Sequence, residues 1–203
     1  MPDQIILLTG ELEGPYLSRM LWSHNPDLQI SHVQDVLQLE QCCLASTSST
    51  DDTRRLVAFV VGIIVPGAVI DALPGPAYNF HPGPPNYPGT HPACFAIYNK
   101  ATQFGSTVHV MEKTVDSGAI VDVEEFGITE DMRFTDLEAL AYQTSLQQFS
   151  KFARHLAVSD DPLPTSPAKW SGKKTTQHDI DEMKKIVPDM TEEEILLRFR
   201  AFG

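Results

Sequence analysis

The sequence centres on one proline-rich stretch without Asp, Glu, Lys or Arg, which reads Tyr78-Asn79-Phe80-His81-Pro82-Gly83-Pro84-Pro85-Asn86-Tyr87-Pro88-Gly89. Two shorter motifs follow it, Gly105-Ser106-Thr107-Val108-His109 and Val115-Asp116-Ser117-Gly118. Because proline fixes φ and removes a backbone donor, residues 74–92 are predicted to form a rigid, irregular wall. Asn79, His81 and Asp116 therefore lie on either side of a stiff loop, which is the composition of a functional site.

These three side chains suit the attack of a neutral nucleophile, such as an amine, on a carbonyl. The Asn79 amide is a donor that does not titrate, so it can bind a developing oxyanion at any pH. His81 can donate to that oxygen or move a proton, and Asp116 can orient the imidazole and raise its pKa. Taken singly, each residue also fits a purely structural role, such as an asparagine that caps a turn. Their combination favours a catalytic site.

The order of motifs resembles the folate-dependent formyltransferases, which act on glycinamide ribonucleotide, methionyl-tRNA and amino sugars. The resemblance rests on an apolar run ending in Pro66, then Asn-x-His-Pro, the proline-rich loop closing on Gly89, Gly-x-Thr-x-His, and Asp-Ser-Gly-x-Ile-Val. It covers residues 55–150 clearly. The loop departs from the family pattern, because Pro88 stands where Arg or Lys is usual, so a basic contact to an anionic substrate is missing there.

The resemblance implies the fold, the co-substrate and the roles of individual residues. It implies a Rossmann-like, three-layer α/β fold with a mostly parallel central sheet, and 10-formyltetrahydrofolate as formyl donor. The implied catalytic residues are Asn79, His81 and Asp116, supported by Thr107 and His109. The pterin of the donor is expected to lie against Ile63, Ile64, Val65, Lys113 and Val115.

Composition limits the partners of this 203-residue chain. Its formal net charge is −12, which disfavours a nucleic-acid partner, because Lys and Arg supply most of the affinity for a phosphate backbone. The longest apolar run, residues 56–70, is interrupted by Gly62, Pro66 and Gly67, so no membrane span is predicted. Three cysteines, two of them adjacent, suggest no disulfide framework, and the cytoplasm is the expected compartment.

Hydrophobic patterning predicts alternating strands and helices. Residues 5–10 and 56–65 are predicted as buried parallel strands, and residues 106–111 and 119–126 as an antiparallel pair that brings Asp116 to the Asn79 loop. Residues 135–156 form the clearest helix, with Thr135 as predicted N-cap and Glu138 completing a capping box. Pro84-Pro85 is a candidate cis bond. We predict a catalytic domain at 1–157 and a linker with a helical extension at 158–203.

Function is predicted as transfer of a formyl group to an amine of a small molecule, an amino sugar being the first choice by family analogy. Alternatives are a 10-formyltetrahydrofolate hydrolase and a non-catalytic folate-binding module. Charge and length disfavour methionyl-tRNA as acceptor. No metal is expected, because the spacing of His81, His91, His109 and Asp116 matches no ligand motif.

Overall fold

The computed structural model describes residues 2–44 and 53–203. Within these ranges no helix is long and apolar enough to cross a membrane. The elements in chain order are β1 (Gln4–Leu8), α1 (Glu13–Trp22), β2 (Gln29–Val33), α2 (Val36–Leu44), β3 (Arg55–Phe59), α3 (Gly67–Ala72), β4 (Tyr78–His81), α4 (Pro92–Tyr98), β5 (Gln103–Val110), β6 (Ile120–Gly127), α5 (Phe134–Val158), α6 (Gln177–Met183) and α7 (Glu192–Phe202).

The strands form one sheet in the order β2-β1-β3-β4-β5-β6. The first four are mutually parallel, and β5 runs antiparallel to both β4 and β6. Helices cover both faces, so the predicted three-layer, mostly parallel α/β fold is confirmed. The predicted antiparallel pair is also present as β5 and β6.

Alternating residues of the strands build two separate cores. Ile5, Leu7, Val57, Phe59 and Phe80 face α1 and α5, whereas Ile6, Leu8, Leu56 and Ala58 face α2 and α3. The first core contains an aromatic cluster in which Phe149 lies 5.3 Å from Phe80 and 5.8 Å from Phe59, measured between ring centroids. Burying each such ring contributes about 1.5–3 kcal/mol. This packing fixes the face of β4 that remains for the site.

The central strand is shorter than predicted. β3 ends at Phe59 rather than at Val65, because Val60 takes a left-handed φ of 48°. Its N–H still donates to the carbonyl of Phe80 at 3.1 Å. Residues 61–66 then run without regular structure to α3, which leaves Ile63, Ile64 and Val65 outside the sheet.

The proline-rich region is more regular than predicted. Residues 78–81 form β4, because this short segment has no proline and its N–H groups can pair with β3 and β5. The Pro84-Pro85 bond is trans, contrary to the prediction. Helix α5 begins at Phe134 with Arg133 as N-cap, not Thr135, since the Asp136 carboxylate accepts the Arg133 N–H at 2.8 Å.

Candidate active site

The pleat of β4 places Asn79 and His81 on one face of the sheet. Side chains of a strand alternate, so Tyr78 and Phe80 enter the core while Asn79 and His81 point the other way. Asn79 is partly exposed and His81 is 6% exposed. The carboxyl end of a central strand thus presents an amide and an imidazole side by side.

His109 lies directly across the ladder from Asn79. The two residues are register partners on β4 and β5, and the Asn79 Nδ2 atom is 3.2 Å from His109 Nε2. His109 Nδ1 lies 2.8 Å from the carbonyl of Val110, which can only accept, so Nδ1 carries a proton. In the neutral ring Nε2 then accepts one of the two Asn79 N–H groups. The second N–H of Asn79 is left for a ligand.

Asp116 approaches both histidines from the turn between β5 and β6. Its Oδ1 is 3.4 Å from His109 Nε2, and its Oδ2 is 3.8 Å from His81 Nδ1. The backbone N–H of Gly89 donates to the same Oδ2 at 2.6 Å. Burial alone would raise the pKa of Asp116, but the neighbouring His109 and His81 side chains and the Gly89 N–H together lower it to about 2. The carboxylate is therefore ionised throughout the neutral range.

His81 behaves differently from the sequence expectation. We expected Asp116 to raise its pKa, whereas burial lowers the pKa of His81 from 6.5 and outweighs the attraction of Asp116. The neighbouring His109 lowers it further. His81 is accordingly neutral at neutral pH, with one N–H donor and one nitrogen lone pair.

Thr107 holds the loop that follows His81. It is the register partner of His81, and its hydroxyl donates to the carbonyl of Gly83 at 2.7 Å. A Cβ atom at Gly83 would lie 2.7 Å from His81 Nε2 and 2.8 Å from the Pro92 ring. Glycine is therefore required there, since any side chain would displace the imidazole. Thr107 thus acts on the loop and not on the reacting centre.

A cavity of about 830 Å³ opens onto Asn79, His81, His109 and Asp116. The same cavity is lined by the five residues against which the family resemblance places the pterin, namely Ile63, Ile64, Val65, Lys113 and Val115. Ile64 is 69% exposed and Val115 37% exposed. The cavity thus combines an uncovered apolar wall with a polar end, as small-molecule sites commonly do.

The segment that follows α5 adds residues to this site that the sequence did not indicate. Trp170 places its ring edge-on to two imidazoles, with centroids 5.0 Å from His109 and 5.8 Å from His81. Its Nε1 donates to the carbonyl of Gly118 at 2.8 Å. A single tryptophan after three prolines carries no local signal, and only the fold places it beside the two histidines.

Residues 171–175 then run along the proline-rich loop and hold it. Ser171 N donates to Pro85 O at 2.9 Å, Thr175 N to Pro88 O at 3.0 Å, and Thr90 N to Thr175 O at 3.0 Å. Gly89 has a φ of 98°, and a Cβ atom there would lie 2.2 Å from the carbonyl of Thr175. We call residues 170–175 the strap.

His81, His91 and His109, which the sequence analysis considered together as metal ligands, do not meet at one point. His81 and His109 meet at Asp116, whereas His91 lies beside Cys94 and Glu138. His91 and Glu138 both line the same cavity.

The fold and the site define an α/β protein with an Asn-His-Asp constellation at the carboxyl end of a central strand. A family model described as formyl transferase matches residues 49–149, about half of the chain. The chain belongs to the formyl transferase family, and the resemblance inferred from the motifs is confirmed.

Solved structures of similar fold extend the likeness beyond this segment. A 4-N formyltransferase from Francisella tularensis is 20% identical, with a TM-score of 0.76, over 98% of this chain and 87% of that chain. A sugar N-formyltransferase from a Shewanella species is 20% identical, with a TM-score of 0.75, over 98% and 87%. An N-formyltransferase from Helicobacter canadensis, in complex with folinic acid and dTDP-3-aminofucose, is 18% identical, with a TM-score of 0.68, over 100% and 81%. No curated protein matches the chain.

Proposed function

We propose that the protein transfers the formyl group of 10-formyltetrahydrofolate to an amine of a small molecule. The observation that carries this proposal is the convergence of Asn79, His81 and Asp116 at the end of one cavity. Membership of the formyl transferase family supports it. The proposed catalytic residues are these three, with Thr107 and His109 supporting them.

The cavity has the residues to hold a reduced folate. A pterin is flat and largely apolar on its faces, and the wall formed by Ile63, Ile64 and Val65 leaves matching apolar surface uncovered. Val115 and the stem of Lys113 line the same cavity from the turn that carries Asp116. Once bound, the folate supplies an electrophilic formyl carbon.

Asn79 is placed to stabilise the oxygen that becomes negative as the amine adds to that carbon. One of its amide hydrogens is held by His109, which fixes the plane of the amide and aims the other. A donor fixed in advance in a partly buried site costs no reorganisation when the charge appears. His109 therefore acts as the residue that orients Asn79.

His81 is proposed to receive the proton that the amine loses. His81 Nε2 lies 3.4 Å from the carbonyl of Tyr87, which can only accept, so Nε2 carries the N–H and Nδ1 has the lone pair for this proton. The imidazolium that results would be unfavourable in so buried a place, but ionised Asp116 lies 3.8 Å away and offsets its charge. Asp116 thus acts by its charge and not as a base, since its pKa is about 2.

The proposed acceptor is an amino sugar, and no nucleic acid or metal is assigned to this reaction. The support comes from similar proteins, one of which was solved with a dTDP-linked amino sugar. The net charge of −12 also disfavours tRNA. We place the reaction in the cytoplasm, where Cys42, Cys43 and Cys94 would form no disulfide.

One experiment tests this function against its alternatives. The protein is mixed with 10-formyltetrahydrofolate and a panel of amines that includes nucleotide-linked amino sugars, and formylated products are identified by mass. Transfer to an amine supports the proposal. Release of formate without any amine product would make the protein a hydrolase, and folate binding without turnover would make it a binding module.

A further inference from the structure

His91, Cys94 and Glu138 form a cluster on the cavity wall that the proposed reaction does not use. One ligand-type atom from each, an imidazole nitrogen, a thiol sulfur and a carboxylate oxygen, lies within 4.8 Å of the others. His91 and Cys94 are three residues apart at the start of α4, and Glu138 comes from the first turns of α5. The packing of α4 on α5 brings the three together.

We propose that His91, Cys94 and Glu138 bind a divalent zinc-type cation. Thiolate sulfur, imidazole nitrogen and carboxylate oxygen are the ligand types of zinc, with bonds of about 2.0–2.3 Å. Ligand atoms in such a tetrahedron stand ~3.5 Å apart, so the three groups need to close by about 1 Å. His91 and Glu138 are exposed and free to adjust, while Cys94 is 4% exposed and stays in place.

The site would keep one coordination position open towards the cavity. Three protein ligands with a free fourth position is the arrangement of zinc sites that bind water or another small ligand. His91 and Glu138 line the same cavity as Asn79 and His81, so the free position faces the space where small molecules enter. A cation there would place a positive charge on the wall formed by α4 and α5.

The same three side chains do not suit a cysteine nucleophile. Burial, and then the Glu138 carboxylate, raise the pKa of Cys94 to about 12, although Lys184 acts in the opposite direction. A thiol with so high a pKa is unreactive at neutral pH. A metal ion changes this balance, because coordination deprotonates a thiol outright.

The test uses the full chain, freed of metals by a chelator and titrated with Co²⁺ as a spectroscopic stand-in for Zn²⁺. We expect a thiolate-to-cobalt charge-transfer band that saturates at one equivalent and disappears when Zn²⁺ is added. Cys94→Ser should abolish this band. Cys43→Ser is the matched control, since Cys43 is a buried thiol of α2 in another core, and it should keep the band.

Two further variants keep the test decisive if Cys94→Ser is unstable. His91→Ala and Glu138→Gln alter exposed side chains and should weaken zinc binding about tenfold or more. Loss of a residue that only hydrogen-bonds to a metal ligand already lowers metal affinity roughly 10–100-fold. Absence of a thiolate band in the wild type, or its survival in Cys94→Ser or Glu138→Gln at unchanged affinity, would overturn the site. These measurements need neither folate nor amine, so they stand apart from the proposed transfer.

Discussion

The indole of Trp170 lies edge-on to the imidazole of His109, with ring centroids 5.0 Å apart and planes at 88°. The same indole reaches His81 at 5.8 Å, so one residue of the strap covers both histidines. It thereby contributes to the burial that lowers the pKa of His81. A residue of the segment after α5 thus contacts both histidines.

Trp170 is predicted to be a positioning residue for the two histidines. Trp170→Ala should admit water, move the pKa of His81 towards its ordinary value and lower kcat by roughly 10–100-fold, because small misplacements of catalytic groups have large effects. Trp170→Phe keeps a ring but loses the hydrogen bond to Gly118 O, so its loss should be smaller. The readouts are kcat and the histidine titration followed by NMR.

Trp22 provides the matched control for this prediction. Its Nε1 also donates to a backbone carbonyl, that of Leu28 at 2.9 Å, and it belongs to α1. Trp22→Ala should lower the melting temperature without changing the titration of His81. An equal change of the His81 titration in both variants would mean that Trp170 acts only through overall stability.

The lowered pKa of His81 predicts how activity and stability depend on pH. Folding favours the neutral imidazole, so the stability that His81 contributes is present above pH 6.5 and is lost as pH falls towards its folded pKa. Turnover should therefore stay level from pH 6.5 to 8 as far as His81 is concerned. NMR of labelled histidines should show one ring titrating below 6.5; a ring assigned to His81 that titrates above 6.5 would contradict the proposed proton acceptor.

Asp116→Asn tests the charge of Asp116 with little change in shape. The amide oxygen can still accept the Gly89 N–H, but no charge remains to offset an imidazolium at His81. Turnover should fall roughly 10²–10⁴-fold, the usual range for groups of acid–base catalysis. Glu193→Gln is the control, because Glu193 is an exposed carboxylate paired with Lys100 at 3.5 Å and does not line the cavity, and it should remain active.

The same variant should respond differently to acid. With a folded pKa of about 2, Asp116 contributes stability above its ordinary pKa of 3.8, and this stability is lost as pH falls from 3.8 towards 2. Asp116→Asn should lack that part of the acid-unfolding slope. An unchanged slope between wild type and variant would show that the carboxylate has no favourable partners in the folded state.

Gly89→Ala tests how firmly the strap is held. The substitution places a Cβ 2.2 Å from the Thr175 carbonyl at a φ of 98°, so the strap must move or the backbone must strain. A strained left-handed residue costs of order 1–3 kcal/mol, and the melting temperature should fall accordingly. Gly62→Ala, which meets no atom within 4 Å, is the control and should change stability little. Equal melting temperatures for the two variants would argue against a fixed strap.

Some features of this site follow from sequence because they are local, and others do not because they depend on packing. Asn79 and His81 stand two residues apart on a short strand, and Asp116 occupies a turn after β5, so motif order is enough to connect them. The left-handed backbone at Val60 ends β3 early without a local signal. The pKa of His81 depends on how deeply the fold buries it. Asp116, the acid that the motifs place beside it, predicts a raised pKa, whereas burial lowers it. Glu138 reaches His91 and Cys94 only through helix packing.

The last prediction concerns Asn79, whose role could be catalytic or merely structural. Asn79→Asp keeps an oxygen and the size of the side chain, so a residue needed only for its shape would tolerate it. If the amide donates to the developing oxyanion, the change removes the donor and puts a second negative charge beside Asp116. Turnover should then fall by more than the roughly 10²–10³-fold that follows deletion of one oxyanion donor, while the melting temperature and folate binding change little.

Asn86→Asp adds the same charge at an exposed position of the proline-rich loop and should stay active. Full activity in Asn79→Asp, or inactivity that comes only from unfolding, would return Asn79 to a structural role.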